Sequence, residues 1–122
     1  MIVVADDEKV LAQLLRSLLE DEGYQVTVAN SGEQAYQATQ DPDCKGMILD
    51  LNVTGLNGVE LLILMNAEGS KVPVIVVAGL PDIDEEEMKQ FPNVKRFFLK
   101  PLYPEELLAA VKEEMEPALQ KR

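Results

Sequence analysis

The sequence predicts an α/β fold in which helices cover both faces of a parallel β-sheet. Short apolar runs rich in β-branched residues alternate with longer stretches of helical spacing, five times along the 122 residues. Most of these runs are continuously apolar, as expected of strands that are buried on both faces. Strict alternation of strand and helix favours parallel pairing, because each helix carries the chain back across the sheet.

The predicted strands are residues 2–5, 25–29, 47–50, 74–78 and 94–99. The second strand alternates apolar and polar residues, which is typical of a strand with one solvent-exposed face. The fourth, from Val74 to Ala78, is the most strongly β-branched, which predicts a central position in the sheet.

The first two predicted helices have recognisable ends. Gly23 follows the end of the first helix, as a residue just past a helix often does. Ser31 and Gln34 predict a capping box at the start of the second helix, which ends before Asp41. The first helix repeats apolar residues at the spacing of one face: Val10, Leu11, Leu14, Leu15, Leu18 and Leu19.

The other three helices are marked by turn residues and by acidic first turns. The third follows a turn over residues 55–58. Pro81 and the acids of residues 82–87 suit the first turn of the fourth, where negative charge meets the positive end of the helix dipole. Pro104 opens the fifth helix, and Pro117 is expected to end it.

Charge and cysteine content narrow the class of protein. With 11 basic and 22 acidic residues the net charge is -11, which argues against direct binding of nucleic acid and against insertion into anionic membranes. Cys44 is the one cysteine, so it forms no internal disulfide, and we expect it near the surface. A signal peptide and a membrane-spanning run are both missing from the pattern, so we predict one cytoplasmic domain over residues 1–122.

Carboxylates follow two of the predicted strands. Asp6 and Asp7 come directly after the first strand, and Asp50 ends the third. The carboxyl ends of parallel strands meet at one edge of a sheet, which is where such folds bind ligands. Carboxylates held close together repel one another unless a cation lies between them, and Mg²⁺ prefers oxygen ligands. The sequence therefore predicts a magnesium site suited to phosphate chemistry.

Lys100 and Pro101 follow the fifth strand and complete a wider pattern. With Asp6-Asp7, Asp50 and Gly58 in this order and spacing, the chain closely resembles the receiver domains of bacterial two-component response regulators over essentially its whole length. The resemblance implies a three-layer doubly wound (βα)5 sandwich of the flavodoxin-like kind, with strand order 2-1-3-4-5.

The resemblance also implies roles for these residues. Asp50 would accept a phosphoryl group from a sensor histidine kinase or a small acyl phosphate, and Lys100 would contact the phosphoryl oxygens. Asp6, Asp7, Asp50 and the backbone carbonyl of Asn52 would bind Mg²⁺. An output protein or domain would contact the fourth helix, the fifth strand and the fifth helix. Such a protein promotes only its own phosphorylation and dephosphorylation and is not otherwise an enzyme.

Ala78 departs from the family pattern, which has Ser or Thr at the end of the fourth strand. That hydroxyl would bind the phosphoryl group and draw the adjoining loop inward. Its loss favours an alternative function, a receiver-like binding module with atypical or phosphorylation-independent switching. Phe97 takes the position of the aromatic switch residue, and Thr54, where proline is usual, offers a substitute hydroxyl on the other loop.

Each site residue also has a simpler interpretation. Asp7 alone is typical of a helix N-cap, Asp50 of a turn and Lys100 of a solvated loop. All of these would have to hold together to explain the pattern, so the joint interpretation as a site is favoured. A magnesium-dependent phosphohydrolase with an Asp nucleophile is a third hypothesis. It fits poorly, because such enzymes often place a second acid two residues after the nucleophile.

Overall fold

A computed structural model of the chain describes residues 1–79 and 85–115. Its strands are β1 (Ile2–Ala5), β2 (Val26–Ala29), β3 (Gly46–Asp50), β4 (Val74–Ala78) and β5 (Val94–Leu99). Its helices are α1 (Lys9–Asp21), α2 (Gly32–Thr39), α3 (Gly58–Ala67), α4 (Glu85–Met88) and α5 (Pro104–Glu114). The predicted strands agree with the observed ones to within one residue at each end.

The strands form one parallel sheet in the order β2-β1-β3-β4-β5, which confirms the predicted fold class and strand order. The register decides which side chains meet at the carboxyl edge. Ala5 pairs with Leu49, so the residues after β1 lie beside Asp50. Ala78 pairs with Leu99, so Lys100 emerges at the same edge.

The sheet separates two apolar layers, because successive residues of a strand point to opposite faces. Val3, Leu49 and Val76 belong to the layer that also contains buried residues of α2, α3 and α4. Val4 and Ile48 belong to the opposite layer, with buried residues of α1 and α5. The central strands β1, β3 and β4 are buried throughout, which explains their continuous apolar runs.

The two edge strands are only partly buried. β2 alternates as predicted, and β5 carries Lys95 and Arg96 in the middle of an otherwise apolar run. The Arg96 guanidinium pairs with Glu113 and Glu114 of α5. These ion pairs fasten α5 to the edge of the sheet that ends in Lys100.

Two predicted helix termini take the expected form, with one difference. Gly23 has a φ of 95°, and its N–H donates to the carbonyl of Glu20 at 2.9 Å. The Ser31 hydroxyl accepts from the N–H of Gln34 at 3.2 Å. The Gln34 side chain, however, accepts from the N–H of Asn30, one residue before the cap, and so makes only half of a capping box.

Three predictions need correction or fall outside the described residues. Val10 and Leu14 of α1 are 71% and 62% exposed, so only the inner part of the predicted apolar face is buried. Cys44 is buried and not near the surface, because the start of β3 carries it into the core. The predicted roles of Pro81, Asp82, Asp84 and Pro117 at helix ends lie outside the described residues.

Within residues 1–79 and 85–115, none of the helices combines the length and apolar character needed to cross a bilayer.

Candidate functional site

Three carboxylates converge at the carboxyl edge of the sheet. Asp6 and Asp50 are only 3% and 4% exposed, and Asp7 is half-buried. One carboxylate oxygen from each of the three lies within 4.8 Å of the others. The backbone holds this arrangement, since the N–H of Asp6 extends the β1–β2 ladder by donating to the carbonyl of Ala29 at 3.0 Å.

Asp6 lies in an environment that favours its neutral form. Burial, the largest cause, raises the pKa of Asp6 from 3.8 to about 6. The N–H of Glu8, which donates to the Asp6 carboxylate at 2.9 Å, opposes this rise, while the negative charge of Asp50 adds to it. An approaching cation would reverse the preference by stabilising the charged form.

Within residues 1–79 and 85–115, each carboxylate oxygen of Asp50 accepts a hydrogen bond. The N–H of Asn52 donates to Oδ1 at 2.9 Å, and the ammonium of Lys100 donates to Oδ2 at 2.9 Å. Burial lowers the pKa of Lys100, but the hydrogen bond to Asp50 and the charges of Asp50 and Asp6 outweigh it, so the pKa is raised overall. Lys100 therefore stays positively charged beside a carboxylate.

These contacts decide between the interpretations of single residues. The N-cap of α1 is Glu8 and not Asp7, so the capping interpretation of Asp7 is wrong. Lys100 is paired and partly buried, and is not a solvated loop lysine. Asp50 does make a turn bond to Asn52, but it does so inside the cluster.

The residues fit a divalent cation. Asp6, Asp7 and Asp50 carry three negative charges when ionised, and Lys100 neutralises only one of them. Carboxylate oxygens are the ligands that Mg²⁺ selects, and a hard cation would relieve the repulsion between the two buried groups.

The loop between β3 and α3 begins directly after Asp50, carries Asn52 and is tightly packed. The N–H of Gly58 donates to the carbonyl of Leu51 at 3.1 Å, and a Cβ added to Gly58 would lie 2.6 Å from the Leu51 Cα. Only glycine allows α3 to start this close to the residue after Asp50. Asn57 and Glu60 then form a full capping box for α3.

Ala78 ends β4 within this edge and is fully buried. Its carbonyl accepts from the N–H of Lys100 at 2.8 Å, so its backbone helps to place the lysine. Its methyl group offers no hydrogen bond at the position where the family pattern has a hydroxyl. Phe97, half-buried, packs in the same apolar layer as Ala78, whereas Phe98 packs on the opposite face.

Thr54 does not supply the missing hydroxyl in this conformation. Its Oγ1 donates to the carbonyl of Asn30, at 3.4 Å, on the corner between β2 and α2. Thr54 is exposed.

An apolar groove adjoins the carboxylates and was not predicted from the sequence. It has a volume of about 270 Å³ and is lined by Leu11, Leu14, Leu15, Leu18, Leu102 and Pro104. Leu11, Leu15 and Leu102 also line the small cavity beside Asp6 and Asp50, so the groove and the acidic site share part of their lining. The only sequence signal was an apolar stripe on α1 wider than the sheet can cover.

Comparison with known proteins agrees with this geometry. The model of the response regulator receiver domain matches residues 2–112. The chain is 30% identical over 111 residues to the DNA-binding response regulator MtrA of Mycolicibacterium paratuberculosis, an alignment that covers 91% of this chain and 49% of MtrA. The chain thus spans about half the length of the curated relatives it matches.

Solved structures show the same fold. The receiver domain of NtrX from Brucella abortus superposes with a TM-score of 0.84 at 25% identity, covering 95% of this chain and 98% of that one. The receiver domain of the sensor histidine kinase PA1611 from Pseudomonas aeruginosa has a magnesium ion coordinated in its active site cleft. It superposes with a TM-score of 0.81 at 21% identity, covering 94% and 96% of the two chains. The chain belongs to the response regulator receiver domain family of two-component signalling.

The raised pKa of Asp6 predicts how stability depends on pH. Between about pH 4 and pH 6 the folded protein keeps a proton on Asp6 that the unfolded chain releases, so stability falls as the pH rises through this window. Asp6→Asn should flatten the fall and stabilise the protein above pH 6 by at most about 3 kcal/mol, the value of the shift at 1.36 kcal/mol per pKa unit. Urea unfolding in the presence of EDTA measures this.

Asp21→Asn is the matched control, because it removes an exposed carboxylate at the end of α1. A pH profile for Asp6→Asn that follows the wild-type curve would contradict the assignment of the fall to Asp6.

Proposed function

We propose that this chain is a phosphoacceptor receiver domain that takes a phosphoryl group on Asp50 from a sensor histidine kinase and relays the signal to a partner. One observation carries the proposal. Asp50 is buried among two further carboxylates with its Oδ2 2.9 Å from the Lys100 ammonium, at the edge of the sheet where ligands bind in this fold.

The side chains suit the chemistry of phosphoryl transfer. A carboxylate oxygen of Asp50 forms the new bond to phosphorus, while the bond from phosphorus to the leaving group, an imidazole nitrogen or an acyl oxygen, breaks. The Lys100 ammonium pairs with the Asp50 carboxylate before transfer and would pair with the negatively charged phosphoryl oxygens afterwards. Asp6, Asp7, Asp50 and the Asn52 carbonyl would hold Mg²⁺, which when bound offsets the charge between the donor and the carboxylate.

Two surfaces fit the two partners that this function requires. The apolar groove would receive the phosphodonor protein, because it shares three lining residues with the cavity beside Asp6 and Asp50. On the other side, half-exposed Leu99 and exposed Tyr103 lie on the face formed by α4, β5 and α5, which we assign to the output partner. The net charge of -11 makes direct contact with nucleic acid unfavourable, so any DNA contact would belong to an output domain.

We further propose that residues 1–122 act as one cytoplasmic receiver unit, which promotes only its own phosphorylation and dephosphorylation.

Acetyl phosphate tests acceptance of the phosphoryl group without a kinase. Wild type incubated with acetyl phosphate and Mg²⁺ should gain the mass of one phosphoryl group, and Asp50→Asn should gain none, because the nucleophilic oxygen is lost. Intact-protein mass spectrometry measures both. If wild type stays unmodified while another receiver domain is phosphorylated in parallel, the proposed function is wrong.

Leu14→Asp tests the groove as the docking surface of the donor. We expect transfer from a phosphorylated kinase that acts on wild type to slow by about tenfold, as for a central interface residue. Transfer from acetyl phosphate should not change, because that donor needs no docking. Ile63→Asp, which alters an exposed apolar residue on α3, is the control. An equal loss with both donors would assign the effect to the acidic site itself.

Ala78→Thr tests whether switching is weakened in the wild type. If the alternative of a phosphorylation-independent binding module holds, beryllofluoride with Mg²⁺ will shift wild-type NMR signals near Asp50 but change those of β5 and of α4 residues 85–88 only slightly, because no hydroxyl couples the phosphoryl position to that face. A receiver that relays the signal will show clear shifts in β5 and α4 as well. Ala78→Thr should enlarge the distant shifts, since a hydrogen bond to a charged group contributes about 1.5–3 kcal/mol.

Ala78→Val is the matched control, because valine has the shape of threonine without the hydroxyl. Large distant shifts in the wild type would show that switching proceeds without this hydroxyl, and would count against the alternative of a phosphorylation-independent binding module.

A further inference from the structure

A second network of contacts, which does not include the three carboxylates, joins two loops. The corner between β2 and α2 meets the loop between β3 and α3 through a set of residues that we call the loop clamp: Asn30, Gly32, Glu33, Thr54 and Leu56. The N–H of Gly32 donates to the carbonyl of Thr54 at 2.9 Å. The N–H of Leu56 donates to the Glu33 carboxylate, 3.1 Å from each oxygen. The Thr54 hydroxyl donates to the Asn30 carbonyl at 3.4 Å.

The two sides of the loop clamp are in direct contact. A Cβ added to Gly32 would overlap the carbonyl of Leu56 and lie 2.7 Å from the Leu56 Cβ. A Cβ added to Gly55, whose φ is 77°, would overlap the Glu33 carboxylate. Both glycines are therefore required by the closeness of the two segments, which leaves no room for a side chain between them.

The loop clamp acts on the segment that follows Asp50. The start of this segment is bound to Asp50 itself, through the N–H groups of Asn52 and Val53. Its end is fixed by Gly58 and by the cap of α3. Between these ends, Thr54 and Leu56 form hydrogen bonds across to the corner, so the corner decides where the middle of the loop lies.

We propose that Glu33 is a positioning residue that, through the loop clamp, holds the Asn52 segment where a divalent cation bound to Asp6, Asp7 and Asp50 can reach its carbonyl. The proposal rests on the proposed function, since it concerns the cation that the function uses. Mg²⁺ demands near-ideal octahedral geometry at short distances, so a small displacement of one carbonyl ligand weakens binding. Residues that orient a ligand without touching the metal commonly contribute a measurable part of the affinity.

The charge of Glu33 could affect the protein independently of its hydrogen bonds to Leu56. Glu33 lies in the first turn of α2, where its negative charge also interacts with the helix dipole. Glu33→Gln keeps an acceptor for the N–H of Leu56 but removes the charge. Glu33→Ala removes both.

Calorimetric titration with Mg²⁺ alone is the direct measurement. We expect Glu33→Ala to weaken Mg²⁺ binding by about fivefold, which is below the roughly tenfold or greater loss usual for residues that orient metal ligands, because the Glu33 side chain is exposed. Glu33→Gln should restore the affinity to within about twofold of wild type, since one amide oxygen replaces the carboxylate as acceptor. Urea unfolding without Mg²⁺ should show that both variants remain folded.

Glu105→Ala is the matched control, because Glu105 is an exposed acid in the first turn of another helix, α5. Its Mg²⁺ affinity should stay within about twofold of wild type, the change expected from a screened surface charge. Gly32→Ala is a second variant that leaves Glu33 in place but forces the two segments apart, and it should weaken Mg²⁺ binding as much as Glu33→Ala does.

The outcomes separate this proposal from the proposed function. If wild type binds Mg²⁺ and Glu33→Ala binds it equally well, the positioning role is wrong while the phosphoacceptor site stands. If Glu33→Gln lowers the Mg²⁺ affinity as much as Glu33→Ala does, the effect comes from the lost charge and the proposal is overturned. The same conclusion follows if Glu105→Ala lowers the Mg²⁺ affinity as much as either variant. If wild type itself does not bind Mg²⁺, both the proposed metal site and the role of Glu33 fail together.

Discussion

The structure depends on one electrostatic constraint. Asp6 and Asp50 are nearly fully buried carboxylates that lie side by side at the edge of a parallel sheet. Desolvation makes each charge costly, and proximity makes the pair costlier. In the part of the chain that the structure describes, Lys100 donates from its ammonium, and Glu8 and Asn52 donate from their backbone N–H groups. These contacts hold the carboxylates but leave an excess of negative charge at the carboxyl edge of the sheet.

The remainder of the fold keeps this cluster in place. Hydrogen bonds from residues just past the strands continue the ladders of the sheet: Leu51 donates to Val77, and Lys100 donates to Ala78. The site therefore stands on rigid elements, and the loop after Asp50 is tied down at both ends. Apolar side chains that the core does not bury lie beside it on α1 and around β5. The acidic cluster thus lies on a fixed edge, and exposed apolar residues lie on the two faces beside it.

Local patterns predicted the elements and most of the site. The apolar runs of the central strands, Gly23 and Ser31 were interpreted correctly because strand burial and helix ends depend on nearby residues. Val10 and Leu14 were misjudged because periodicity identifies a face of a helix without showing how much of it a neighbour covers. Cys44 was misjudged because its depth depends on where the chain enters β3, and Glu33 was missed because its partner, Leu56, is distant in the sequence.

The sequence by itself determined that five βα units carry acids after the first and third strands and a lysine after the fifth, since these facts are periodicity and order. The pattern of matched residues also indicated the receiver family and its strand order. Only the tertiary structure decided that the carboxylates lie within 4.8 Å of one another, that Lys100 pairs with Asp50, and that the Thr54 hydroxyl turns toward Asn30. Those contacts depend on register and on packing between distant segments, which local composition does not encode.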